Sequence, residues 1–104
     1  MKVGNLIIIP RGNEEGAKKV YYIVTKQFNN TAGLPYNWLV FPITSHTTVG
    51  LHNLVKVTHP SLVRTSYAKL NNVTTIGHID VIIDPILFDP SIINAVNEAY
   101  KNTL

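Results

Sequence analysis

The stretch Trp38-Leu39-Val40-Phe41-Pro42-Ile43-Thr44-Ser45 decides how the rest of this chain is read. Its apolar residues run without polar interruption and stop at two hydroxyl side chains. A short apolar run of this kind reads as a buried strand rather than a half-exposed one. Pro42 cannot donate to a strand ladder, so the reading expects a bulge or a sheet edge at that point.

Working outward, short apolar runs alternate with turn residues in both directions. Gly4 to Ile9 reads as a first strand closed by Pro10, and the polar Arg11–Gly16 (RGNEEG) as a loop. Lys19 to Lys26 (KVYYIVTK) is rich in β-branched and aromatic residues and reads as the second strand. Phe28 to Asn37, with Asn29-Asn30, Gly33 and Pro35, reads as a longer loop, and His46 to Gly50 as another. Strands are expected over Leu51–Val57, Arg64–Leu70 and Val73–Ile76, with turns at His59-Pro60-Ser61 and Asn71-Asn72, and a short piece over Val81–Ile83. The C-terminus changes period. Asp89 suits an N-cap and Pro90 the first helical position, after which Ile92, Val96, Ala99 and Tyr100 recur at helical spacing. Five to six short strands followed by one helix suggest a mainly β domain, a small barrel with the helix over one end or face.

The 104 residues make one domain, 1–104, with room for a single modest core. Charged residues make up only 14% of the chain against a usual share of about a quarter. A surface so poor in charge favours cover by a partner or a second copy. The absence of cysteine excludes a disulfide framework and cysteine metal sites. Leu6–Ile9 is too short for a signal peptide or a membrane span, so a cytoplasmic protein without a membrane association is the expectation. The net charge of +3 is compatible with a polyanionic partner, and Arg11, Lys18, Lys19 and Lys26 cluster early in the chain. The four histidines lack zinc-ligand spacing; no metal and no cofactor are expected.

Four strings in order resemble the MazF/PemK family of toxins. Gly4-Asn5-Leu6-Ile7-Ile8-Ile9 resembles that family's opening strand. Glu14-Glu15-Gly16-Ala17-Lys18-Lys19 running into Val20–Val24 resembles its Glu-Gln-Gly-x-x-Arg-Pro loop. Phe41-Pro42-Ile43-Thr44-Ser45 resembles its Pro-(Ile/Val)-Thr-Ser strand end. Leu70-Asn71-Asn72-Val73-Thr74-Thr75-Ile76 resembles its Leu-x-Gln-(Ile/Val)-Arg-Thr-Ile-Asp segment. The resemblance implies an SH3-like barrel, a homodimer and a toxin neutralised by a separate acidic antitoxin. It also implies metal-independent endoribonuclease cleavage of single-stranded mRNA. This chain departs from the family at the charges: Lys19 stands for a loop Arg, Thr74 for a second Arg and Gly77 for an Asp.

Cleavage through the ribose 2′-hydroxyl needs a base, an acid and donors to the non-bridging oxygens. Lys19 is the candidate phosphate-binding cation in the position the family gives to Arg, with Lys18 as the register alternative. Thr44 and Ser45 offer hydroxyls that can orient a phosphate; an ordinary strand end would instead use them on local backbone groups. His46 and His78 follow two of the matched strings and are the candidate acid and base. Arg11, Thr74 and the ring of Tyr36 complete an expected RNA-binding surface. Glu14 and Glu15 read as solvated, the strand tyrosines and Trp38 as core or interface. The alternative reading is the same barrel with an impaired site, binding RNA or a protein without cleavage. A gyrase poison is a further possibility on this scaffold, but the C-terminal helix lacks the ending that activity depends on.

Overall fold

The computed structural model describes residues 1–11, 18–28, 37–46, 53–77 and 81–104. The described residues form seven strands: β1 (Asn5–Arg11), β2 (Lys18–Phe28), β3 (Asn37–Thr44), β4 (Leu54–Val57), β5 (Ser66–Lys69), β6 (Thr74–Ile76) and β7 (Ile82–Leu87). A 3-10 turn (Leu70–Asn72) joins β5 to β6, and one helix, α1 (Pro90–Lys101), closes the chain. The antiparallel sheet runs β4-β5-β3-β2-β1-β7, with β6 as a second neighbour of β3. The mainly β reading with a C-terminal helix is what the structure has; against the five to six strands expected, the described residues hold seven, the seventh on the short piece over Val81–Ile83. No ladder joins the two ends of the path, β4 and β7, among the described residues.

The unbroken apolar runs have a physical cause. Along β1, β2 and β3 successive side chains enter two different clusters. Leu6, Ile23 and Phe41 pack with Val57, Phe88 and Val96, whereas Ile7, Val24 and Val40 pack with Trp38. Both faces of the central strands are buried, so neither face needs polar residues. The helix covers the first face through Val96, Ile92, Ile93 and Tyr100, the last meeting Phe41 edge-on at 5.2 Å between ring centroids. Asp89 caps it as expected, accepting from the Ser91 backbone N–H at 2.8 Å.

Pro42 and Pro10 sit where a missing N–H costs nothing. On one side β3 pairs with β2 along its length, but on the other it meets β6 at Trp38–Val40 and β5 at Ile43–Thr44. Pro42 falls in the fork between them, an interrupted edge rather than a bulge. Pro10 does not close β1, which continues to Arg11; among the described residues pairing with β7 ends at Ile8, short of the ring. The bulge lies instead in β2, at Thr25, between the Val24 and Lys26 pairings. Its carbonyl is taken by the Asn97 amide of the helix at 3.2 Å, which fixes where the helix docks. β4 begins only at Leu54, because Asn53 has a φ of +63°, a turn conformation. β5 begins at Ser66 and not Arg64, and β7 is longer than the expected Val81–Ile83 piece. Gly4 has a φ of +96°, a backbone conformation that favours glycine, and a Cβ there would also crowd Ile93 Cδ1 at 3.0 Å.

A side chain bridges the two ends of the sheet. β7 accommodates Pro85 through a register shift against β1, and the Asp84 carboxylate accepts the Ile86 N–H at 2.9 Å. The buried His59, just after β4, donates from Nε2 to the Ile86 carbonyl at 2.7 Å. Its Nδ1 accepts from the Ser61 backbone N–H at 3.0 Å, which fixes the Nε2–H tautomer. Ser61 Oγ in turn donates to Asp84 at 2.6 Å, and the His59 ring packs on Phe88 at 4.8 Å between centroids. The Ser61 hydroxyl, followed by the Ile86 N–H, holds the Asp84 carboxyl below the ordinary carboxylate value. Bonds from the Ser91 N–H and hydroxyl do the same for Asp89. A lowered folded-state value means the stabilisation is complete above the ordinary carboxyl range and is lost as pH falls through the lowered value. Acid titration followed by circular dichroism should therefore unfold Ser61→Ala at a higher pH than the parent; coincident curves would remove Ser61 from the account.

Candidate functional site

The site is built where β2 outruns β3. Antiparallel pairing of Tyr21 with Ile43 and Tyr22 with Pro42 sets the register. Continued beyond the last pair, it carries Lys19 abreast of Ser45 and Lys18 abreast of His46. The 3-10 turn then returns the chain past the fork at Pro42, bringing Lys69, Asn72 and Thr74 to the other side. The result is an open cleft of about 610 Å³. Lys18, Lys19 and Lys69 contribute its cations, Thr44, Ser45, Thr74 and Asn72 its neutral polar groups, and Tyr21, Tyr22 and Ile43 its apolar wall; His46 stands at the strand end. No carboxylate is among the described residues lining it, so its electrostatic field favours an anion.

Six of the residues named from the sequence meet here: Lys18, Lys19, Thr44, Ser45, His46 and Thr74. Arg11 pairs through its backbone with Lys18, which puts it at the cleft's margin; nothing further is described of its side chain. Tyr36, His78, Glu14 and Glu15 lie outside the described residues. Lys26, counted with the N-terminal basic group, points elsewhere: its ammonium lies 5.3 Å from the centroid of the Phe28 ring at the far end of β2. Lys69 was missed. It lies fifty residues from Lys19 in sequence, and only the fork in the sheet brings the two together. Tyr21 and Tyr22, read as core or interface, are half-buried and line the cleft. His59 showed no motif context and proves to be structural.

Local bonding sets what Thr44 can do. Its Oγ1 accepts the His46 backbone N–H at 3.1 Å, a turn that ends the strand and holds His46 over the cleft. The hydroxyl's own contact to the His46 carbonyl is long, 3.5 Å, so its proton is available to a stronger acceptor such as a phosphate oxygen. Ser45 and His46 are exposed. Three ammonium groups, three serine and threonine hydroxyls and an imidazole around one concavity can bind a phosphate, orient it and transfer a proton. No three His, Cys, Asp or Glu side chains converge as a metal site among the described residues, and no described helix is long and apolar enough to cross a membrane.

Comparison of the chain with protein-family models, with curated proteins and with solved structures finds no match.

Proposed function

We propose that this protein binds single-stranded RNA in the lysine cleft and cleaves it without metal, as a toxin of the MazF/PemK type. One observation carries the reading: Lys18, Lys19 and Lys69 share a cleft with Thr44, Ser45 and His46, with no carboxylate among the described residues that line it. Lysines and the Thr44 hydroxyl bind the non-bridging oxygens. The ribose 2′-hydroxyl attacks phosphorus, the bond to the 5′-oxygen breaks, and a 2′,3′-cyclic phosphate and a 5′-hydroxyl form. His46 is the described side chain suited to exchange the proton with one of those oxygens. The proposal includes the SH3-like barrel, in which the His59 clasp takes the place of a closing ladder between β4 and β7. It includes a homodimer too. β7 leaves Ile82, Ile83, Ile86 and Leu87 exposed on an edge strand, an apolar edge that a second copy would cover. An acidic antitoxin segment would complement the same cationic cleft.

The test is incubation with a mixed-sequence RNA in the presence of a chelator, with the product ends identified. We expect cyclic phosphate termini, a rate loss of about a hundredfold or more for His46→Ala, and a smaller loss for Lys19→Arg than for Lys19→Ala. A parent protein that binds RNA but leaves it intact selects the second reading, a binding module of the same fold. That reading has its own support in the Thr44 hydroxyl, which already serves the strand-end turn.

A further inference from the structure

Beside the lysine cleft, and sharing Tyr21, Ile43, Thr44 and Ser45 with it, lies a second cavity of about 170 Å³. Its far wall is formed by Ser61, Leu62 and Arg64 of the segment between β4 and β5 and by Ser66, the first residue of β5. Leu62 packs on the main core cluster and so is a fixed apolar surface. The two serine hydroxyls are committed as donors, Ser61 to Asp84 and Ser66 to the Arg64 carbonyl at 2.8 Å. Any contact either hydroxyl makes with a ligand in the cavity is then as an acceptor. Arg64 is exposed and has no ion-pair partner among the described residues. Its guanidinium supplies donors only.

We infer that this cavity is a subsite for one pyrimidine base of a single-stranded RNA whose adjoining phosphate lies in the lysine cleft. The inference rests on the RNA reading of that cleft. Size supports it: a cavity of about 150 Å³ accommodates a benzene ring, so a six-membered base fits and a fused purine ring is crowded. Chemistry supports it as well. The edge of a pyrimidine carries carbonyl acceptors for Arg64 and an N–H donor for the serine lone pairs, while its face can lie on Tyr21 or Leu62. Continuity supplies the third argument, because Tyr21 and Thr44 belong to both cavities and a strand crossing them leaves no gap. The segment before β5 would then set base preference, separately from the lysines that bind every sequence alike.

The test uses the whole protein and fluorescein-labelled hexaribonucleotides of uridine, cytidine and adenosine, 2′-O-methylated to prevent cleavage. Stacking and edge contacts to one base predict about tenfold tighter binding of the two pyrimidine oligomers than of the adenosine one. Arg64→Ala should bring the pyrimidine oligomers to the adenosine level and leave that level unchanged. With the unaltered protein, one abasic nucleotide placed at successive positions should cost about tenfold at a single position. Equal binding of all three oligomers, or an Arg64→Ala loss shared equally by them, overturns the base subsite and leaves the lysine cleft standing. If Lys19→Ala weakens none of them, the cleft reading falls and the subsite with it.

Discussion

His59→Ala is expected to lower the unfolding free energy by about 3 kcal/mol, a large share of the roughly 5–15 kcal/mol that holds a domain of this kind together. Two hydrogen bonds disappear, each worth a net 0.5–1.5 kcal/mol or so, and the Ile86 carbonyl and Ser61 N–H lose their partner. A cavity also opens beside Phe88, whose ring His59 covers. The consequence is larger than the sum of contacts suggests, because no strand ladder replaces the clasp between β4 and β7 among the described residues. Urea denaturation followed by circular dichroism reads the change directly. His59→Gln, which can still reach one partner, should recover part of the loss, and Lys19→Ala should stay within about 0.5 kcal/mol of the parent. A loss below about 1 kcal/mol for His59→Ala would mean that β7 is held by its ladder with β1 alone.

Removing all three cleft lysines is the largest functional change expected. Each contact between a cation and a single-stranded phosphate contributes about 0.7 to the slope of log affinity against log salt. The Lys18→Ala/Lys19→Ala/Lys69→Ala protein should therefore lose about 2 from that slope and about a hundredfold in affinity at roughly 0.1 M salt. Anisotropy titrations of a mixed-sequence RNA over a salt series measure both quantities. All sequences should weaken alike, because phosphate contacts carry no base information. Since Lys18 and Lys19 are exposed, the triple variant should keep the parent's circular dichroism spectrum. An unchanged slope would show that RNA, if bound, is held elsewhere. Lys69 is the informative member, since no sequence resemblance pointed to it.

The central strands were legible because double-sided burial leaves a direct trace in composition. Leu6–Ile9, Val20–Val24 and Trp38–Ile43 are apolar on both faces, and their order alone suggested the β-rich core. Asp89-Pro90 marked the helix start because capping is a local interaction between neighbours. Strand ends were less legible. Pro10 and Pro42 looked like interruptions, yet among the described residues no strand pairs with them on the side that the missing N–H faces, which depends on the neighbouring strands and not on the proline. The length of β7 was hidden for a similar reason. The expected piece ended at Ile83, but the strand runs on through Asp84 and Pro85, which the register shift absorbs while the Asp84 carboxylate satisfies the backbone.

What the sequence determined by itself was the class of fold, a run of apolar strands and one capped helix, with the basic strand start and the hydroxyl strand end as separate pieces of a site. Those properties are local or periodic, set by side-chain alternation and by contacts a few residues apart. Tertiary structure alone decided that Lys69 joins Lys18 and Lys19, that His59 is a buried clasp, and that a second cavity opens beside Tyr21. Each of these depends on segments far apart in the chain meeting at a sheet fork or a sheet end, and pairing between distant strands leaves no periodic signal in either partner.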